Sequence, residues 1–153
     1  MHLQPQPIDL RPRRAIDGWP LFHEEGRRYL KTAVNGWQRR SRVFTPEIVY
    51  NLVAMGCEKL FMAYLLAHGA LPENHTMLDL IGAVETIAGP QPELREELAF
   101  MDGFQEICDM DSAIYKVPTA ADLERMFRAA DTVRAFVGER LPGHDTILQQ
   151  FVF

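Results

Sequence analysis

Residues 57–81 read CEKLFMAYLLAHGALPENHTMLDLI, and the reading of this stretch decides the fold. It opens as an amphipathic helix, breaks at Gly69, crosses a short loop containing Pro72 and restarts at His75 as a second apolar run. Apolar residues recur at spacings of three and four on both sides of the break, which is the period of a helix and not of a strand. Two polar residues stand out. Glu58 lies beside the apolar seam, and His75 sits where the next helix begins.

Working backwards, Thr45 is an N-cap residue type and Pro46 suits the first helical position, where a missing N–H costs nothing. Val49, Leu52, Val53, Cys57, Leu60, Phe61, Tyr64 and Leu65 then form a seam wide enough for two neighbours, and Gly69 supplies the left-handed residue that closes a helix. An earlier helix is expected from about Asp17 or Pro20 to Arg40, on Phe22, Tyr29, Leu30, Ala33, Val34 and Trp37. Gly36 within it costs about 1 kcal/mol relative to Ala.

Working forwards, Thr76 with Asp79 resembles a capping box, and Met77, Leu80, Ile81, Val84 and Ile87 form the stripe of a third helix ended by Gly89-Pro90. A fourth starts at about Pro92 and buries Leu94, Leu98, Met101, Phe104, Ile107 and Cys108. It is expected to end near Tyr115, because Pro118 disfavours helix at Val117. The fifth has Thr119 as N-cap, Asp122 at N3, an inward row of Leu123, Met126, Phe127, Ala130, Val133, Phe136 and Val137, and a stop at Pro142-Gly143. No strand pattern stands against these five. Short links favour antiparallel neighbours, so the expected fold is an all-α, up-and-down bundle of four to five main helices. Residues 1–16 form an irregular lead-in, 17–141 the bundle and 142–153 an apolar tail ending in ILQQFVF.

Composition agrees with one domain. The chain has 153 residues and is 47% hydrophobic. A domain of that size buries roughly 68–70% of its unfolded surface and needs no metal or disulfide to fold. Cys57 and Cys108 lie far apart, within apolar helical runs, and read as buried thiols in a reducing compartment. The N-terminal stretch lacks the apolar core of a secretory signal, and no apolar run approaches the ~20 residues of a membrane span. The expected location is cytoplasmic, without membrane association. The net charge of −5 is uneven: residues 1–42 carry nine Lys/Arg and four acids, and the remainder seven and seventeen. A basic segment on an acidic body suits pairing with a second copy, with nucleic acid as the alternative.

Tests for chemistry remove most enzyme classes. Glu-x-x-His spacing for a di-iron bundle, clustered His/Cys for zinc, H-E-x-x-H, Gly-rich phosphate loops and G-x-S-x-G are all absent. No cofactor or metal is expected. What remains are polar residues near apolar seams. Glu58 either bonds across the bundle or borders a ligand cleft, and His75 satisfies backbone groups at a helix entrance. Asp109 and Asp111 fall late in the expected fourth helix, where acids oppose the helix dipole; they are either exposed acids or the hint of a cationic partner.

Taken together, AMGCEKLFMAYLLAHG at 54–69, LPENHTMLDL at 71–80, Tyr115 before the last helix and DLERMFRAADTVRAFV at 122–137 resemble the HEPN family (higher eukaryotes and prokaryotes nucleotide-binding) over about residues 20–141. The resemblance implies that Glu58 corresponds to that family's recurrent second-helix Glu and His75 to its helix-entry His. It also implies a homodimer, a nucleotide or RNA as ligand, and a nucleotidyltransferase-type protein as partner. Nuclease members carry Arg-x4–6-His in a cleft at the dimer interface and cut RNA without metal. No Arg here has a His at that distance, and the corresponding stretch reads CDMDSAIYKVP, with two acids that would repel phosphate. The expectation is therefore a binding or regulatory module, not an enzyme, whose cleft is bordered by Glu58, Asp109, Asp111 and Tyr115. The alternatives are a toxin-like, metal-independent ribonuclease with a rearranged site, or a nucleotide-binding companion of a nucleotidyltransferase.

Overall fold

The computed structural model describes residues 15–40, 42–104 and 116–143. Among the described residues there are five α-helices and no strand: α1 (Trp19–Gln38), α2 (Pro46–Ala67), α3 (Met77–Ala88), α4 (Pro92–Asp102) and α5 (Ala120–Arg140). The chain is an all-α helical bundle, as its periodicity requires.

The helix ends follow the local chemistry. Thr45 accepts a hydrogen bond from the Ile48 N–H at the head of α2, and Gly69 leaves that helix with φ of 69°. Thr119 and Asp122 form a reciprocal capping box at α5. At α3 the box is incomplete: Thr76 accepts from the Asp79 N–H, but its hydroxyl donates to the Asp79 carboxylate, at 3.1 and 2.6 Å. Asp102, from the far end of α4, takes the Met77 and Leu78 N–H groups instead, at 3.0 and 2.9 Å. The fourth helix is shorter than expected. It stops at Asp102, where the chain tightens so that the Phe104 N–H reaches the Met101 carbonyl at 3.1 Å. At α5 the stop is the predicted one, with Leu141 extended before Pro142.

Helix α2 is the axis of the core and packs against α1, α3 and α5. Leu60, Phe61, Tyr64 and Leu65 are buried, and the Tyr50 hydroxyl donates to the Met101 carbonyl at 2.9 Å. By length and mean hydropathy α2 could cross a membrane, contrary to the sequence reading, but 61% of that window is buried within the bundle. Helix α1 runs antiparallel to α2, since Gly26 faces Gly56 while Gly36 faces Phe44. Helix α5 runs the same way as α2, with Tyr64 and Phe136 in ring contact at 5.8 Å near both C-termini.

Two readings of side-chain position need correction. Of the expected α1 stripe, Leu30 and Ala33 are buried and Phe22 and Trp37 pack partly buried against the core, but the buried line also takes in Gly26 and Gly36, which the expected stripe left out. A Cβ on Gly36 would lie 2.3 Å from the Phe44 ring, so this glycine makes room for a ring and is not a plain propensity cost. Ile87, expected in the α3 stripe, is 40% exposed in the last turn of α3, beyond the buried line that ends at Val84.

Candidate functional site

The two residues singled out in the opening stretch meet each other. His75 Nδ1 and Glu58 Oε1 are 2.9 Å apart, joining α2 to the turn before α3. The ring of His75 therefore goes to a carboxylate and not to the α3 backbone, whose first N–H groups belong to Thr76 and Asp102. Both partners stand open to solvent, so the bond ties a loop to a helix at small energetic gain. Asp109, Asp111 and Tyr115, the other expected cleft residues, lie outside the described residues, as does Cys108. Cys57 is fully buried and its thiol is pushed up to about 12 by burial, which leaves it inert.

A different place collects polar groups around an apolar floor. Helices α1 and α5 both rest on α2 but barely touch each other. The seam between them opens into a hollow of about 610 Å³. On α1 it is lined by His23, Arg27, Leu30 and Val34, at spacings of four, three and four that place them on one stripe. Phe127, Ala130 and Arg134 face them from α5, and Arg28 and Lys31 stand on the α1 rim. A second hollow of about 600 Å³, lined by Trp37, Phe44 and Ala120 among others, follows along the same seam. From His23 to Gln38 the furrow tracks about 22 Å of helix.

The electrostatics are one-sided. Burial lowers the pKa of His23 below its usual 6.5, and Arg27 and Arg134 lower it further, so the imidazole is neutral near pH 7. Two acids temper the rim: Glu24 holds Arg28 at 2.6 Å, and Asp131 holds the Arg134 fork at 2.8 and 3.1 Å. The groove therefore pairs a positive field with an apolar floor, which suits an anion that also carries an apolar part. No group of three or more His, Cys, Asp or Glu side chains is placed to hold a metal ion among the described residues.

The groove leaves no mark in the apolar pattern of the sequence, because Leu30, Val34 and Phe127 stand on the period of core positions, and Leu30 is itself a buried core residue. The available signal was the HEEGRRYLK run at 23–31, which sets Arg27, Arg28 and Lys31 on the flank of the same helix. The position of Arg134 opposite His23 depends on how α5 packs and has no local signature.

Comparison with known proteins supports the architecture alone. The chain is similar to the crystal structure of TT1696 from Thermus thermophilus, with a TM-score of 0.66 and 20% identity, over 80% of this chain and 98% of that one. No family model matches the chain, and no curated protein does.

Proposed function

We propose that this chain is a HEPN-like binding or regulatory module that holds an anionic ligand in the α1–α5 groove. The observation that carries the reading is the gathering of Arg27, Arg28, Lys31, Arg134 and the neutral His23 around Leu30, Val34, Phe127 and Ala130. A nucleotide or a short RNA has the matching chemistry: phosphate for the cations and a base for the apolar floor. The protein would work in the cytoplasm as a homodimer, and a nucleotidyltransferase-type protein is the partner that the HEPN resemblance suggests. Calorimetric titration with a nucleotide and with a short RNA at low salt tests the ligand. Micromolar binding that weakens with added salt and in Lys31→Gln is the expected result, and no binding of either would defeat the reading.

One observation favours a ribonuclease as the second reading. Metal-free RNA cleavage needs a base for the 2′-hydroxyl proton and a cation for the charge developing on phosphate. His23 beside Arg27 and Arg134 offers both, on α1 and α5 instead of on the fourth helix. The groove lining holds one imidazole, with none opposite it to protonate the leaving oxygen. The expected outcome is therefore no cleavage of mixed-sequence RNA without metal. Cleavage that tracks the protein and disappears in His23→Gln would replace the binding reading.

A further inference from the structure

We infer that His23, Arg27 and Arg134 form a phosphate-ester subsite at one end of the groove, and that His23 takes up a proton when the anion enters. The inference rests on the binding reading above and adds the ligand's charged group and the proton linkage.

The geometry supplies donors from two helices. His23 and Arg27 are one turn apart on the same stripe of α1, and Arg134 comes from the facing helix. A carboxylate has two oxygens, which a single guanidinium fork can satisfy; Arg134 gives both its Nε–H and an Nη2 donor to one oxygen of Asp131, Oδ1. Three donor groups, two from α1 and one from α5, match the three terminal oxygens of a phosphate monoester better. Arg134 spends its Nε–H and one Nη2 contact on Asp131, while a guanidinium carries five N–H groups, so its fork retains donors for an anion.

The proton follows from charge. With the groove empty, burial disfavours a charge on His23 most, and Arg27 and Arg134 add their opposition to a third positive charge. A dianion seated among them reverses the sign of that field and favours the imidazolium, which then donates from both ring nitrogens. The other charges on the groove wall are Glu24, Arg28 and Lys31 on α1 and Asp131 on α5; Arg28 is held by Glu24. On the α2 side, Lys59 is held by Glu25 at 2.9 Å and covers the Phe22 ring. The consequence has a defined direction. Affinity rises as pH falls from the bound-state pKa of His23 to its lower free-state pKa and is flat outside that window. Each unit by which the anion raises that pKa strengthens binding about tenfold at the acidic end.

The test is an NMR titration of the His23 ring in the full chain. Sulfate is the probe, as a tetrahedral dianion that does not itself titrate in this range, against chloride at matched ionic strength. The expected result is a midpoint below 6.5 in chloride and a clearly higher one in sulfate and in adenosine monophosphate. Arg134→Gln should raise the chloride midpoint and blunt the response to sulfate. Equal midpoints in sulfate and chloride would overturn the subsite. So would a shift produced by a glutamate-rich peptide but not by sulfate or the nucleotide. Calorimetry in two buffers of different ionisation enthalpy separates the two levels. Nucleotide binding without proton uptake, unchanged in His23→Gln, leaves the binding module standing and ends this inference, whereas no binding by the wild-type chain ends both.

Discussion

Helix α1 has two seams, and they are built on opposite principles. Against α2 it presents Gly26, Leu30, Ala33 and Gly36, and the backbones come so close that a Cβ on Gly26 would sit 3.0 Å from the Gly56 carbonyl oxygen. Against α5 it presents His23, Arg27 and Val34, long or branched side chains that hold the two helices apart and leave a furrow. The same twenty residues thus make one dry contact and one open one. The difference lies in side-chain size along two stripes about a quarter-turn apart. Small residues let helices approach and bury area, and charged stems with apolar roots prop them apart and keep their heads in water.

The comparison can be broken from the tight side first. Leu60 is fully buried and packs over Gly26, so Leu60→Ala should cost about 2–5 kcal/mol in denaturant unfolding, the largest effect in this set. Gly56→Ala comes next. Its new methyl would lie 2.6 Å from Leu30 Cδ2, an overpacking cost of about 1–3 kcal/mol, offset in part by roughly 1 kcal/mol of improved helix propensity. The open side should behave in the reverse way. Lys31→Gln should change stability by no more than about 0.5 kcal/mol while weakening anion binding, which titration of the same variant would separate. The smallest effect is a pH dependence. Because folding lowers the pKa of His23, the unfolded chain holds more protons between that value and 6.5. The stability His23 contributes is present above 6.5 and is lost as pH falls through the folded pKa. His23→Gln should flatten this part of the stability profile, as measured by thermal unfolding across that window.

What could be read in the sequence was what depends on neighbours along the chain. Thr45-Pro46, Thr119 with Asp122 and Leu141-Pro142 place helix ends through contacts within one turn, and each lies where the sequence puts it. Leu94, Leu98 and Met101 are buried on the expected period. The failures are tertiary. Asp102 caps α3 from across a hairpin, and no periodicity in the sequence announces that bond. Gly36 looks like a defect until the Phe44 ring is set against it. The groove was invisible because apolar residues that line a furrow and apolar residues that fill a core share one spacing. Glu58 and His75 stand out by their positions in the sequence, but their pairing depends on the loop folding back.

The carboxylate of Asp102 has one more consequence. Helices α3 and α4 are clasped at both ends. Asp102 holds the Met77 and Leu78 N–H groups at one end. At the other, Glu85 accepts from the Arg95 guanidinium and from the Gln91 N–H at 2.8 Å, contacts that lower its own pKa from the ordinary value. A hairpin fastened twice cannot fray from either tip without breaking a charged hydrogen bond. In amide hydrogen exchange α3 and α4 should therefore open together as one cooperative unit, distinct from the long helices, and Asp102→Asn should release the start of α3 first.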